Sequence, residues 1–122
     1  MKARILVGSV ELDVSFNDTE TARAVYDSLP VETGFNVWGD EFYFDVPVNM
    51  ELDDTATTSV KAGDIGYWPP GGALAIFFGP TPMSTGDDPV PASEVNMVGR
   101  IEGDATLLRT VKDAPLIKIE KI

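Results

Sequence analysis

The order of hydrophobic and polar residues at the start of the chain predicts an antiparallel hairpin. Segments 3–7 and 10–14 alternate apolar with polar residues and flank Gly8-Ser9, a favourable two-residue turn. In the register that this turn sets, Val7 faces Val10, and the acidic residues of the second segment point to solvent. The chain therefore opens with a half-buried pair of strands.

A second hairpin is predicted around the aromatic residues that follow. Phe35–Trp38 and Glu41–Val46 are separated by a Gly-Asp pair that suits a tight turn. Pairing across this turn divides the side chains between two faces and places Trp38, Tyr43 and Glu41 on the same one. That face is opposite the phenylalanines of the same strands.

A third hairpin contains the longest apolar run of the chain. Two strands flank Pro69–Gly72, where proline and glycine suit a reversal of direction but not a central strand. Alternating patterns predict further strands over 95–101 and 116–122, and a short one over 48–52.

Two helical segments are also predicted. Asn17 begins a pattern that resembles a capping box, apolar residues follow at helical spacing as far as Leu29, and Pro30 ends the helix. Further along, Asp104 is expected to cap a short helical turn whose leucines, Leu107 among them, pack inward.

These elements predict a single, mainly β domain over residues 1–122. They amount to about eight antiparallel strands with one or two helices, and this number of strands suggests a closed barrel without exposed sheet edges.

Composition narrows the chemistry that such a barrel can perform. The 122 residues include no Cys and no His, which removes thiolate and imidazole catalysis, disulfides and the usual zinc ligands. The net charge of −11 argues against a nucleic-acid partner. Acidic pairs such as Asp40-Glu41 fall in turns and are interpreted as solvated, so neither a metal nor a cofactor is expected. No apolar segment resembles a membrane span or a signal region, so we expect a cytoplasmic protein.

Three segments resemble the cyclophilins, and more closely the small cyclophilin-like proteins of bacteria and archaea. They are Gly63–Gly71, Ile76–Gly79 and Asn96–Ile101. Cyclophilins likewise have a glycine-rich reversal, a Gln-Phe-Phe strand and a later Val-Phe-Gly-Lys-Val strand in this order. The resemblance covers essentially the whole chain and implies the cyclophilin-like barrel, although most of the small relatives have no assigned activity.

The residues with which cyclophilins isomerise prolyl peptide bonds are not matched in this sequence. Cyclophilins use a Phe-His-Arg strand followed by a glutamine, whereas the corresponding region, Phe35–Phe44, has no arginine and the chain has no glutamine. One residue of the cyclophilin pocket is matched, by Phe78 as the first choice and by Phe77 as the second. The resemblance therefore implies the fold more strongly than the enzyme.

A candidate binding groove is predicted on the outer face of the barrel. Trp38, Tyr43 and Trp68 alternate with core positions, and an exposed aromatic patch of this kind tends to bind a ligand. For these three residues, packing within the fold is an equally weighted interpretation, and for Phe78 it is the favoured one.

Two functions fit these residues. The first is a binding module that holds a small molecule or a proline-containing peptide among the aromatic residues, Phe77 and Phe78 included, with Asn96 and Arg100 as polar anchors. The second is a weak peptidyl-prolyl isomerase in which Arg100 or Asn96 replaces the missing arginine. Arg100 is alternatively interpreted as one half of a salt bridge. The aromatic patch is alternatively interpreted as the interface of a homo-oligomer.

Overall fold

The structure, a computed structural model, describes residues 1–122 and contains nine β-strands, one α-helix and two 3₁₀ helices. The strands are β1 (Lys2–Val7), β2 (Val10–Phe16), β3 (Val31–Thr33), β4 (Asn36–Val37), β5 (Glu41–Asp45), β6 (Asp64–Trp68), β7 (Ala73–Phe77), β8 (Asn96–Glu102) and β9 (Ile117–Lys121). The helices are α1 (Glu20–Asp27) and the 3₁₀ helices Pro69–Gly71 and Ala105–Val111.

All nine strands belong to one antiparallel sheet, in the order β3-β9-β1-β2-β8-β6-β7-β5-β4. The predicted mainly β, antiparallel fold is thereby confirmed, with two differences in detail. The count exceeds eight because β3, only three residues long, pairs with β9 without an alternating pattern that would reveal it. The edge strands β3 and β4 do not pair with each other, so the curled sheet is open where a closed barrel was predicted.

The predicted hairpins form in the predicted registers. β1 and β2 pair Val7 with Val10, and β4 and β5 pair Val37 with Phe42. β6 and β7 are joined through the 3₁₀ helix Pro69–Gly71, after which Gly72 adopts a left-handed conformation that favours glycine. The predicted strand over 48–52 does not form.

A hydrophobic core of 25 buried residues fills the inner side of the curled sheet. The helix α1 covers this core. Its N-terminal cap is Thr19, whose side chain accepts a hydrogen bond of 3.1 Å from a backbone N–H of the first turn. Asn17, the predicted cap, instead donates its side-chain amide to β8. Asp104 caps the second 3₁₀ helix as predicted, although Leu108 is buried there and Leu107 is exposed.

A bulge in β8 changes the direction in which its side chains point. Two adjacent residues of β6 pair with Gly99 and Met97, so Val98 is an extra residue in β8. Simple alternation therefore fails across this strand. Asn96 and Arg100, which alternation places on one face, lie on opposite faces of the sheet.

Candidate functional site

The outer side of the sheet bears a groove of about 250 Å³, which we call the outer groove. Three neighbouring strands form its floor and one wall: Glu41 and Tyr43 come from β5, Ala75 and Phe77 from β7, and Trp68 from the end of β6. Because side chains alternate along a strand, these residues point away from the hydrophobic core. Ala75 and Phe77 belong to a second, smaller hydrophobic cluster, against which Tyr43 and Trp68 pack.

Loops complete the edges of the outer groove. Trp38 follows β4, and Pro91, Ala92 and Val95 belong to the loop before β8. Val95 packs on Gly66 of β6, where a Cβ atom would lie only 2.6 Å from the Val95 Cγ2 atom. The glycine therefore allows the loop to approach the sheet and form a wall of the groove.

The indole of Trp68 is held in place from two directions. Its Nε1 atom donates a hydrogen bond to Ser93 Oγ at 2.6 Å. The ring also lies against Gly71, where a Cβ atom would be 2.8 Å from the ring carbons Cε3 and Cζ3. Since this side chain is already ordered, a ligand that contacts it avoids part of the entropy loss of binding.

Glu41 is the ionisable group on the floor of the outer groove that sequence analysis missed. The residue is only 7% exposed, and its Oε1 atom has no hydrogen-bond partner. Burial raises the pKa of its carboxyl group from 4.5 to about 7. The interpretation of Asp40-Glu41 as a solvated pair is therefore wrong for Glu41, which is buried in the lining of the groove. Asp40 points elsewhere and forms salt bridges of 2.8 Å with Arg109 and Lys112.

The structure brings together most of the aromatic residues predicted for the site. Trp38, Tyr43, Trp68 and Phe77 all line the outer groove. Phe78 does not, because the next residue after Phe77 points to the opposite side of the sheet. It is fully buried in the hydrophobic core, where its ring centroid lies 4.7 Å from that of another phenylalanine.

Asn96 lies in a buried polar network on the core side and does not reach the outer groove. Its Oδ1 atom accepts from the Asp53 N–H at 2.8 Å, and its Nδ2 atom donates to Glu51 O at 2.8 Å and Thr21 Oγ1 at 3.2 Å. The Thr21 hydroxyl in turn donates to Asp53 Oδ2 at 2.8 Å. Burial raises the pKa of Asp53, but hydrogen bonds from Thr55 and Thr21 outweigh it, so that this pKa is lowered.

Arg100 is on the outer side of the sheet, at the end of β6 that lies beside Phe77 of β7, but it does not line the outer groove. It forms a salt bridge with Asp64, the first residue of β6, whereas Trp68 is the last. A strand rises about 3.3 Å per residue, so these two β6 residues are about 13 Å apart. The competing interpretation of Arg100, a salt bridge, is the one that the structure supports.

Comparisons with known proteins agree with this architecture. A model of the family described as Cyclophilin-like matches residues 1–120. The chain is also similar to the solution structure of the hypothetical protein AF2241 from Archaeoglobus fulgidus, with 38% sequence identity and a TM-score of 0.82. That similarity covers 100% of this chain and 95% of the other. No curated protein matches. The chain therefore belongs to the Cyclophilin-like family, and the predicted resemblance and fold are confirmed.

The chemical character of the outer groove follows from its lining. Aromatic and aliphatic side chains provide most of its surface, and Glu41 provides a carboxyl group at its floor. No group of three or more acidic side chains is arranged to hold a metal ion. None of the helices has the length and apolar character needed to cross a membrane.

Proposed function

We propose that this Cyclophilin-like chain is a binding module whose outer groove holds a small organic molecule or one residue of a peptide. The observation that supports this most directly is the convergence of Trp38, Tyr43 and Trp68, all partly exposed, on one cavity outside the hydrophobic core. Ligand cavities are typically apolar, with a few polar groups that fix orientation, and span about 300 to 1,000 Å³. The outer groove, at about 250 Å³, is slightly smaller than this range and therefore suits a small ligand.

The isomerase alternative has less support from the geometry. Prolyl isomerisation needs a hydrogen-bond donor aimed at the twisted amide in a site that excludes water. Arg100 is engaged with Asp64 and does not line the groove, and Asn96 is on the other side of the sheet. Binding without turnover is therefore the function that we propose.

The proposal can be tested with the fluorescence of the protein itself. Trp38 and Trp68 are the two tryptophans of the chain, and both line the outer groove. We would screen small neutral and charged compounds and Ala-Pro peptides by tryptophan fluorescence, and map the binders by NMR chemical shifts. Exchange spectra of the same peptides would report catalysis, and faster cis–trans exchange would favour the isomerase alternative.

Replacing Trp68 with alanine is expected to weaken groove ligands about tenfold, because it removes a wall of aromatic surface and its link to Ser93. The measurement is the Kd from NMR titration, since this variant keeps only one indole. The control is Arg100→Ala, which should leave the Kd unchanged because Arg100 does not line the groove.

Two results would contradict the proposal. One is a ligand that binds the wild type and the Trp68→Ala variant equally well and shifts signals elsewhere on the sheet. The other is a homodimer, found by light scattering, that buries both tryptophans, since the aromatic patch would then be a subunit interface.

A further inference from the structure

We infer that the outer groove selects a small organic cation, with Glu41 pairing with its positive charge and the aromatic walls contacting its apolar surface. This inference rests on the proposed function of the groove and specifies the chemical class of its ligand. An ammonium or quaternary ammonium group is the chemistry that the lining fits.

The carboxyl group of Glu41 lacks a partner within the protein. Glu41 is 7% exposed, and its Oε1 atom receives no hydrogen bond within the protein. Buried carboxylates are normally paired or hydrogen-bonded, because an uncompensated buried charge is strongly unfavourable. Arg109 and Lys112 are both engaged by the neighbouring Asp40, and Arg100, on the same side of the sheet, is engaged by Asp64. A ligand cation would supply the missing partner.

Aromatic side chains line the groove together with that carboxyl group. The faces of tryptophan, tyrosine and phenylalanine attract cations through their quadrupoles, and tryptophan does so most strongly. The groove combines Trp38, Trp68, Tyr43 and Phe77 around Glu41. A neutral hydrogen-bond donor would bond only the carboxyl group, whereas an alkylated ammonium group would compensate the charge of the carboxylate and also be attracted to the aromatic faces.

The charge of the surroundings points the same way. No lysine or arginine lines the outer groove, and Tyr43 is the other titratable residue in its lining. The whole chain has a net charge of −11, which raises the local concentration of cations and disfavours anions. The negative charge of the whole protein and the lining of the groove therefore both favour a cationic ligand.

A matched pair of probes tests the inference: choline, which has a permanent positive charge, and 3,3-dimethylbutan-1-ol, its neutral analogue of nearly the same shape. We expect choline to bind the wild-type protein at least tenfold more tightly, as measured by tryptophan fluorescence and NMR titration. Glu41→Gln should abolish this preference and leave the affinity for the alcohol nearly unchanged. Glu94→Gln, an identical change at an exposed position in the loop before β8, should preserve the preference.

The pH dependence provides a second readout, because the charge of choline does not change with pH. Burial raises the pKa of Glu41 to about 7 in the free protein, so choline should bind more tightly at pH 8.5 than at pH 5.5. The Glu41→Gln variant should show no such change. Of the other nearby ionisable groups, Asp40 has a lowered pKa because its bonds to Lys112 and Arg109 outweigh the effect of burial, so it stays charged over this range.

The outcomes separate this inference from the function on which it rests. Equal affinity for the two probes, or a choline preference that survives Glu41→Gln, would overturn cation selectivity and leave groove binding intact. The same holds if neither probe binds while neutral compounds of the screen do. If no compound of any charge binds in the groove, the proposed function fails together with the inference.

Discussion

Replacing Asn96 with alanine is expected to lower the free energy of unfolding by about 4 kcal/mol, because it breaks a buried network that joins three parts of the chain. Asn96 belongs to β8. Its side chain forms hydrogen bonds with Glu51 and Asp53 of the loop before β6 and with Thr21 of the helix α1. Removal leaves a backbone N–H and a backbone C=O without partners. Each unsatisfied buried group costs about 1 to 3 kcal/mol.

Urea denaturation, extrapolated to water, measures this effect. Asn36→Ala is the matched control, because Asn36 is exposed and its side chain makes only a long hydrogen bond of 3.3 Å to Tyr43 O. It should change the free energy of unfolding by less than about 0.5 kcal/mol. Thr21→Val, which removes one hydroxyl group of the network, should have an intermediate effect. If the two asparagine variants were equally stable, the network would not be holding the loop.

The position of Asn96 also shows why part of the candidate site was beyond sequence analysis. Alternation along β8 predicted that Asn96 and Arg100 share a face, and it would have been correct for a regular strand. The extra residue Val98 reverses the direction of side chains beyond it. This bulge arises from the pairing of β8 with β6, strands that are distant in the sequence, so no local pattern reveals it.

The hairpins, in contrast, could be predicted from the sequence, because their geometry is set by residues that are close together in the chain. A short turn fixes the register of the strands it joins, and the register fixes which side chains share a face. For this reason the pairing of Val37 with Phe42 was predictable, as was the common face of Trp38 and Tyr43. The aromatic part of the candidate site followed from these two facts and from the position of Trp68 at the end of its strand.

Glu41 was misinterpreted although its face was predicted correctly. The register of the second hairpin puts it beside Trp38 and Tyr43, but an acidic residue next to a turn is usually solvated. Its burial results from tertiary structure, since it pairs with Phe77 of the adjacent β7 and lines a groove built from distant parts of the chain. The sequence did contain one indication of a buried carboxyl group, because the predicted register places Glu41 on the same face as several aromatic residues.

The burial of this carboxyl group leads to the second large effect, on the pH dependence of stability. Glu41→Gln is expected to raise the free energy of unfolding at pH 8 by about 3 kcal/mol relative to the wild type, and to have little effect at pH 4. The pKa of the Glu41 carboxyl group is 4.5 without burial and about 7 in the folded protein. The folded protein therefore holds this proton more tightly than the unfolded chain does.

The direction of the effect follows from that difference in proton binding. Below pH 4.5 the carboxyl group is protonated in both states, so it adds no penalty to folding. As the pH rises from 4.5 to about 7, the unfolded chain loses the proton first, and the wild type loses stability relative to the variant. Above about pH 8 both states are ionised and the difference stays constant at its maximum.

Urea denaturation of both proteins at several pH values between 4 and 8.5 measures this difference, and subtraction removes the contributions of the other acidic residues. Glu94→Gln removes the same charge at an exposed position and should give a small, nearly constant difference over the whole range. A Glu41→Gln curve parallel to that of Glu94→Gln would mean that Glu41 is solvated in the native state. The groove would then have no buried carboxyl group with which to bind a cation. A difference that instead grows between pH 4.5 and 7 would establish that the fold itself maintains an unpaired acid at the floor of an aromatic groove, at the expense of its own stability.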